Sequence, residues 1–485
     1  MEQDNTQNVN TPKRGWFDRT FKFAERGTNL KTEIMAGVTT FMAMVYILMV
    51  NAGMFADPFS NGTNVLGVSY GAIYIVTAIS AIIGTILIGA LSGLPMAQAP
   101  GMGLNAFFVY TMCVGFGFTY ANTLVFVLLD GIVIVLLTVT GLRKAIFDAI
   151  PAAVKKAIPA GIGLFIAFIG AQNAKLVIPS TSTGVTMGSL NLLVAGNWAN
   201  AMPVIVTVLG VIAIAIMAKK NVKGAILWGI LGSTALYYLL GLTTGMYDTF
   251  KITLSNPFDA FKDFGTQSFA KVFTDGFNFE PYIQAHGVAN FILVLITSAL
   301  AFCLVDMFDT LGTLYGACAR GNMLDEEGNV PNMNRAMLAD AIATCTGAIL
   351  GTSTVTTFVE SSSGIAEGGR TALTSYVTAL LFAVAMFLSP IAQLIPSCAT
   401  ATALIYVGVL MMNCVREIEW TDPAVSVPAF LTIAMMPFTY NISFGIGFGM
   451  ISYTLIMLCT GRAKKIKVST YIITAIFIAM FLLTH

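Results

Sequence analysis

Apolar stretches long enough to cross a lipid bilayer recur along the whole chain, and they limit its fold more than any other feature. A transmembrane helix needs about 20 consecutive, mostly apolar residues. Hydrophobic residues make up 56% of the chain and charged residues only 10%, whereas soluble domains carry roughly 25% charged residues. The sequence therefore predicts an all-α polytopic membrane protein. Its predicted spans are 34–54, 70–92, 96–116, 120–141, 150–172, 200–218, 222–241, 287–316, 335–350, 352–370, 372–394, 396–414, 424–439 and 443–460.

Net charge and the usual metal-binding residues argue against several classes of function. The formal net charge is +1, which gives no reason to expect a nucleic acid partner. The seven cysteines form no CxxC pair, and the only histidines are His286 and His485, so we expect no metal site and no cofactor. No GxSxG motif or Ser/Lys dyad stands out, so we expect no enzyme. An intramembrane enzyme and a passive channel remain alternatives from other classes.

Lysine and arginine predict the orientation of the chain, since cytoplasmic loops collect basic residues. Residues 1–33 are polar, lack the apolar core of a signal peptide, and are expected to be cytoplasmic. The polar loop 242–286, with three scattered lysines, then lies outside. Two sets of seven spans place further groups of basic residues in the cytoplasm, at 143–156, 219–223, 320–335, 416 and 462–467. The stretch 469–484 is left over, as an extra span or an interfacial helix.

Two of the predicted spans are broken by residues that do not favour a helix. Span three (96–116) contains Pro100 between glycines and small residues, and span ten (352–370) begins with TSTVTTFV, which is rich in strand formers. Each predicts a short extended piece followed by a half helix, which is tolerated at membrane depth only inside protein or beside a water-filled cavity. For span ten, a loop outside the bilayer is the alternative. Seven spans per half give the inverted-repeat plan of many secondary transporters.

Acidic residues inside the predicted spans mark candidate functional positions, because charge at that depth is costly. They are Asp130, Asp306, Asp309, Asp340 and Glu360. Asp306 and Asp309 are three residues apart and share a helix face, and Glu360 stands where span ten becomes helical. Neighbouring buried carboxyls suit proton coupling, and their oxygens suit a ligand with N–H donors. The alternative, strongest for Asp130 and Asp340, is local pairing with backbone or hydroxyl groups.

Two further features lie beside the broken spans. Glu367 and Arg370, spaced i, i+3 at the cytoplasmic end of span ten, indicate a structural ion pair or a gate. The rings of Phe107, Phe108 and Phe358 lie next to the breaks, where a planar ligand can stack. In a chain with 34 phenylalanines, ordinary packing is the alternative for each ring.

Several long motifs resemble those of the AzgA-like purine permeases, within the nucleobase–cation symporter superfamily. The resemblance runs from about Gly27 to about Arg462, nearly the whole chain. The motifs that carry it are GVTTFMAMVYILMVN (37–51), AQAPGMGLNAFF (97–108), PAGIGLFIAFIGAQNA (159–174), DMFDTLGTLYG (306–316) and GTSTVTTFVESSSGIAEGGRTAL (351–373).

This resemblance implies the uracil-transporter-type fold, with two inverted repeats of seven spans and short strands in spans three and ten. It divides the chain into a core domain (34–141 and 287–394) and a gate domain (142–241 and 395–460). Residues 461–485 form a C-terminal tail with a possible extra helix. A homodimer through the gate domain is a further implication of the resemblance.

The family's substrate lies between the two strands and span eight, which implies a specific site here. Acids of spans eight and ten bind the base, and an asparagine of span three is also needed. On this sequence these residues fall on Asp306, Asp309, Glu360 and Asn105. We also expect Phe358 and Thr356 to contribute to substrate binding, and Asp306 and Asp309 to couple the proton.

The function implied by the resemblance is proton-coupled uptake of adenine, guanine and hypoxanthine. The protein would lie in the plasma (inner) membrane with its N-terminus in the cytoplasm. The alternative is a carrier of another small solute on the same fold, such as uracil, urate, xanthine or an anion. The residues leave open which purine is preferred, whether sodium replaces the proton, and whether Asp306 or Asp309 contacts the base.

Overall fold

The computed structural model describes residues 20–141, 149–191, 198–243 and 256–484. Its first half contains α1 (Leu30–Met44), α2 (Tyr46–Ala56), α3 (Tyr70–Ser92), β1 (Gln98–Pro100), α4 (Met102–Ala106), α5 (Tyr120–Thr140), α6 (Ala152–Asn173), β2 (Val177–Ser180), β3 (Gly184–Met187), α7 (Trp198–Lys219) and α8 (Ala225–Thr243). A π-helix, Phe107–Gly115, continues α4.

The second half begins with short helices in the predicted outer loop. Its elements are α9 (Pro257–Asp263), the π-helix Phe264–Ser268, α10 (Lys271–Thr274), α11 (Glu280–His286), α12 (Val288–Arg320), α13 (Met333–Leu350), β4 (Val355–Thr357), α14 (Ser361–Ala366), α15 (Ala372–Ala385), α16 (Ser389–Ala392), α17 (Ser397–Met411), α18 (Pro423–Thr439), α19 (Ile442–Cys459) and α20 (Val468–Thr484). Three short 3₁₀ helices cover Met386–Leu388, Met412–Glu417 and Ala463–Lys465.

The helices confirm the prediction of a multi-pass membrane protein. Within the described ranges, ten helices are long and apolar enough to cross a membrane, and three shorter apolar helices cover Met102–Gly115, Pro423–Thr439 and Val468–Leu483. The leftover stretch 469–484 is helical and packs on α12 and α19. Whether α20 spans the bilayer and how many inverted repeats the chain contains stay predictions.

The breaks in spans three and ten form one antiparallel pair of strands. β1 pairs with β4 in the register Gln98↔Thr357, Ala99↔Thr356 and Pro100↔Val355. Outside this register, the Phe358 N–H donates to the Ala97 carbonyl at 3.0 Å. Each strand leads at once into a short helix, α4 or α14. The extended-piece-then-half-helix prediction is therefore confirmed in both spans, and the loop alternative for span ten is wrong.

Helix packing separates the chain into two groups that meet around the strand pair. α1 to α5 pack with α12 to α15, while α6 to α8 pack with α17 to α19. The division of the chain into a core domain and a gate domain stays a prediction. The movement of one group against the other stays a prediction.

Small residues allow close helix crossings inside each group, as is common between membrane helices. A β-carbon on Gly131 of α5 would lie 2.9 Å from the Cys345 backbone nitrogen of α13. In the other group, a β-carbon on Gly163 of α6 would lie 2.9 Å from the Gly408 carbonyl oxygen of α17. Neither site leaves room for a side chain.

The described part of the predicted outer loop folds onto the helix ends. The Gln267 side chain accepts a bond from the Ser69 N–H at 2.7 Å, at the start of α3. The Ala270 N–H donates to the Ile349 carbonyl of α13 at 2.8 Å, and the Asn122 amide of α5 donates to the Gly276 carbonyl at 2.8 Å. The segment therefore ties three helices together at one end. Residues 244–255 of the predicted loop lie outside the described residues.

The predicted contact between Glu367 and Arg370 is wrong. The Glu367 carboxylate pairs with the Lys223 amine at 2.7 Å, just before α8. The Arg370 guanidinium donates to the carbonyls of Ile365 and Gly369 at 2.7 and 2.8 Å. The chain turns between the two side chains, so their i, i+3 spacing does not create a shared helix face. A gating role for Glu367 stays a prediction, with Lys223 as its partner.

We predict that Gly131→Val destabilises the membrane-embedded protein. The added atoms meet the backbone of α13, which cannot rotate away, and overpacking costs about 1–3 kcal/mol. The measurement is the thermal midpoint of purified protein in detergent. Gly232→Val in α8 is the control, because a β-carbon there meets no atom within 4 Å. Equal midpoints for the two variants would contradict the close crossing.

Candidate functional site

The strand β4 presents hydroxyl groups to two different carboxylates. The Thr356 hydroxyl donates to Asp309 Oδ2 at 3.3 Å, and the Thr357 hydroxyl donates to Asp340 Oδ1 at 3.2 Å. Successive side chains of a strand point to opposite faces, so the strand separates the two acids. We call the side of Asp309 the front and the side of Asp340 the rear.

The front contains two acids from different elements and a buried tyrosine. Glu360 directly precedes α14 and is 8% exposed, and the Tyr46 hydroxyl donates to its Oε1 at 2.7 Å. Tyr46 is fully buried at the start of α2, next to Val45, where span one is interrupted. Asp309 of α12 is half-buried. The Tyr46 hydroxyl thus orients Glu360 through Oε1, and Oε2 can accept a hydrogen bond from another donor.

Asn105 lies behind the front and braces the strands. It is fully buried in α4, and its amide nitrogen donates to the Pro100 carbonyl at 3.3 Å. The Ser353 hydroxyl donates to its amide oxygen. In this conformation, Asn105 therefore connects the end of β1 to the start of span ten.

The aromatic candidates differ in their surroundings. Phe107 packs on Phe302 with ring centroids 4.6 Å apart, and Phe108 packs on Phe55 at 5.0 Å. Both rings are fully buried, which agrees with the packing alternative. Phe358 follows β4 and is 6% exposed, so its predicted stacking with a ligand stays a prediction.

The rear contains Asp340 in a network of neutral donors. Its Oδ1 accepts from Gln98 Nε2 at 2.9 Å and from the Thr310 hydroxyl at 2.8 Å, in addition to Thr357. Asp306 is also fully buried, yet neither of its carboxylate oxygens has a hydrogen-bond partner. Asp306 and Asp309 therefore differ in environment despite their i, i+3 spacing.

Hydroxyl groups of the helices satisfy the outer edges of the strand pair. The Thr85 hydroxyl of α3 accepts from the Gln98 N–H at 3.0 Å and donates to the Gln98 carbonyl at 3.1 Å. The Thr344 hydroxyl of α13 donates to the Val355 carbonyl at 3.2 Å. Backbone outside a helix is expensive at membrane depth unless its polar groups find such partners. The polarity of these segments thus has a structural cause.

Sequence reasoning missed two residues that the structure brings to the site, Tyr46 and Gln98, and a third buried polar residue, Glu33, that lies elsewhere in span one. Tyr46 and Gln98 are single polar residues in apolar or small-residue segments, which made them hard to recognise. The interruption of the helix between α1 and α2 is the one local feature that marks Tyr46. Glu33 is fully buried and accepts from the Thr374 hydroxyl at 2.6 Å and the Arg370 N–H at 2.8 Å. It thereby joins span one to the start of α15, although it was assigned to the polar N-terminal segment.

Metal-binding side chains do not cluster at the site or elsewhere in the described ranges. No group of three or more His, Cys, Asp or Glu side chains there is arranged to hold a metal ion. The arrangement instead offers carboxylate and hydroxyl oxygens on both sides of two non-helical backbone segments.

Comparison with known proteins agrees with this geometry. Residues 31–448 match the family model Xan_ur_permease, described as a permease family. The chain is 36% identical to the adenine permease AdeP of Escherichia coli (strain K12) over 468 residues, covering 96% of each chain. It is also 36% identical to the guanine/hypoxanthine permease PbuG of Bacillus subtilis (strain 168) over 463 residues, covering 95% of this chain and 98% of that protein.

A solved structure shows the same fold with little sequence identity. The transmembrane domain of the cyanobacterial bicarbonate transporter BicA matches with a TM-score of 0.58 at 15% identity, covering 86% of this chain and 97% of that one. This likeness confirms the predicted uracil-transporter-type fold. The family match and the full-length relatives show that the chain belongs to the permease family, as one of its AzgA-like purine permeases.

Proposed function

We propose that the protein takes up adenine, guanine and hypoxanthine across the plasma membrane by proton symport, with its N-terminus in the cytoplasm. The observation that carries this proposal is the front site, where Glu360 and Asp309 lie within electrostatic range of each other beside a break in two membrane segments. The names of the full-length relatives support a nucleobase as the substrate. The family match supports a transporter over an enzyme.

Purine recognition follows from the hydrogen-bonding character of the front. A purine base carries N–H groups, and an ionised carboxylate offers only acceptors. The Tyr46 hydroxyl occupies Glu360 Oε1, which leaves Oε2 to accept from the base. Asp309 Oδ2 accepts only one bond, at 3.3 Å from Thr356, so it can serve as a second acceptor. Thr356 and Asn105 keep these acids and the strands in position.

Alternating access requires contacts between the two helix groups on each side of the site. Towards the predicted outside, the Thr111 hydroxyl donates to the Tyr440 carbonyl at 3.1 Å, and the Tyr440 ring lies 5.8 Å from Tyr110 and 5.5 Å from Phe165. Towards the predicted cytoplasm, Lys223 pairs with Glu367. In the proposed cycle, these contacts break and form as one group moves against the other.

A second candidate function is uptake of another solute on this fold. The matched family model is described only as a permease family, and the fold neighbour BicA carries the name of a bicarbonate transporter. Against an anion, the front offers two carboxylates, and the described side chains that hydrogen-bond to them are Tyr46 and Thr356 rather than Lys, Arg or His. A carboxylate pair would repel an anionic substrate.

We predict that the wild-type protein accumulates radiolabelled purine bases in transport-deficient cells and that a protonophore abolishes accumulation. Glu360→Gln keeps the volume of the side chain and removes its charge. Losing a hydrogen bond to a charged group costs about 1.5–3 kcal/mol, so KM should rise at least about tenfold. The exposed substitution Glu326→Gln is the control and should transport normally. Unchanged purine uptake by Glu360→Gln would contradict the site.

Tyr46→Phe tests the hydroxyl that orients Glu360. The substitution keeps the buried ring but removes the donor to Glu360 Oε1, which costs about 1–2 kcal/mol of substrate binding. We expect KM to rise about 5–30-fold while the amount of protein in the membrane is unchanged. Tyr315→Phe is the control, since Tyr315 is 53% exposed. A normal KM for Tyr46→Phe would mean that Glu360 does not need this bond.

Charge exchange tests the pairing of Lys223 with Glu367. Lys223→Glu places two like charges together and should slow uptake, whereas the double variant Lys223→Glu/Glu367→Lys restores the pair and the rate. The side chains are 46% and 32% exposed, so the pair itself is worth only about 0–1 kcal/mol. Lys271→Glu disrupts the Lys271–Asp275 pair in the outer loop as a control. Failure of the double variant to recover would argue against a direct contact.

A further inference from the structure

Three buried acids from three helices lie on the rear side of the strand pair. Asp130 of α5, Asp306 of α12 and Asp340 of α13 are each at most 1% exposed. Asp130 and Asp340 lie within electrostatic range of Asp306. Asp306 is one helical turn from Thr310, whose hydroxyl donates to Asp340 at 2.8 Å. We call these three side chains the rear acid cluster.

Hydrogen bonding leaves most oxygens of the rear acid cluster without a donor. Asp340 Oδ1 accepts three bonds, and Asp130 Oδ2 accepts one at 3.3 Å from the Thr354 hydroxyl. The remaining four carboxylate oxygens have no partner, and neither has Oε1 of the fully buried Gln98, whose amide nitrogen is bonded to Asp340. Gln98 is not an acid, so it independently shows that this space has too few donors.

No positive side chain balances the rear acid cluster in the described part of the chain. The side chains that hydrogen-bond to it are Gln98 and the threonines 310, 354 and 357, and the other ionisable neighbours are Asp309, Cys303 and Cys345. Three carboxylates without a cation would be far too costly in a buried site. A proton on a carboxyl removes its charge and turns an acceptor into a donor.

We propose that the rear acid cluster, rather than Asp309, carries the proton that drives substrate uptake, with Asp306 and Asp340 sharing it. This inference rests on the proposed function and changes its coupling residues from Asp306 and Asp309 to Asp306, Asp340 and Asp130. It assigns different roles to the acids on the two sides of β4. The front acids Glu360 and Asp309 bind the base, and the rear acids bind the proton.

The strand β4 directly links the substrate site at the front to the proton site at the rear. Thr356 touches Asp309, and the adjacent Thr357 touches Asp340. The Thr357 N–H also approaches the Thr310 hydroxyl at 3.4 Å, which itself donates to Asp340. A shift of β4 when the base binds therefore changes the donors around Asp340. Loading of the front thereby alters the proton affinity of the rear, and the reverse holds by linkage.

The test separates substrate exchange from proton-driven accumulation in proteoliposomes that contain purified protein. Exchange of labelled for unlabelled base needs the front site but no net proton movement. For one proton per base, a pH gradient of one unit sustains about a tenfold accumulation. We expect Asp130→Asn to retain exchange but to lose accumulation, with its ratio falling from about ten to about one. Asp306→Asn should lose accumulation too.

Glu360→Gln is the comparison variant, which should lose exchange as well as accumulation. The proposal would be overturned if both Asp130→Asn and Asp306→Asn accumulated the base at the same ratio as the wild-type protein. It would also be overturned if a sodium gradient drove accumulation by the wild-type protein without proton uptake. Loss of exchange together with accumulation in folded Asp130→Asn would also overturn it, because the residue would then serve substrate binding. Absence of any base exchange in the wild type would instead refute the proposed function.

A second measurement does not depend on whether the variants fold. Infrared spectra of the wild-type protein should contain a C=O stretch from buried protonated carboxyls that disappears on titration to high pH. Addition of the purine substrate to the protein in weak buffer should change the pH, because substrate binding at the front changes proton binding at the rear. A spectrum without that stretch at neutral pH, or binding without any pH change, would contradict the proposal.

Discussion

The antiparallel pairing of β1 with β4 is the interaction on which the rest of the structure depends. Two three-residue strands replace helix in the middle of membrane spans, so their polar groups need partners from elsewhere. The strands satisfy each other on one edge, while Thr85 and Thr344 satisfy groups on their outer edges. Without these hydroxyls, the non-helical backbone would be unstable in an apolar environment. Their presence creates a polar centre in a chain that is otherwise strongly apolar.

This centre also determines the chemistry, because a strand directs neighbouring side chains to opposite sides. Thr356 and Thr357 differ by one position and reach acids in two different environments. A helix at the same place would set adjacent residues about 100° apart and could not divide a site so sharply. Small residues on the surrounding helices, such as Gly131, let the backbones approach closely enough to seal the rear from water. In the proposed mechanism, local strand geometry therefore separates ligand binding from proton binding.

The sequence predicts what local chemistry determines and fails where distant segments meet. Pro100 and the Thr-rich start of span ten were sufficient to predict the strands, because both disfavour a continuous helix. The predicted partner of Glu367, Arg370, was wrong. The observed partner, Lys223, is distant in sequence, and no local spacing connects it to Glu367. The bond from Tyr46 to Glu360 joins residues 314 positions apart and was missed for the same reason. The i, i+3 rule placed Asp306 and Asp309 on one face, but it carried no information about the strand that packs against that face.

The contacts between the two helix groups are suited to a carrier because they are individually weak. A ligand shifts a conformational equilibrium only by the difference between its affinities for the two states, so the states must lie within a few kcal/mol of each other. The Lys223–Glu367 pair is partly exposed and contributes about 0–1 kcal/mol. The Thr111–Tyr440 hydrogen bond is a single neutral bond worth about 0.5–1.5 kcal/mol. Binding of a substrate can overcome contacts of this size, whereas a buried ion pair between the groups would cost about 3–5 kcal/mol to break and would hold the protein in one state.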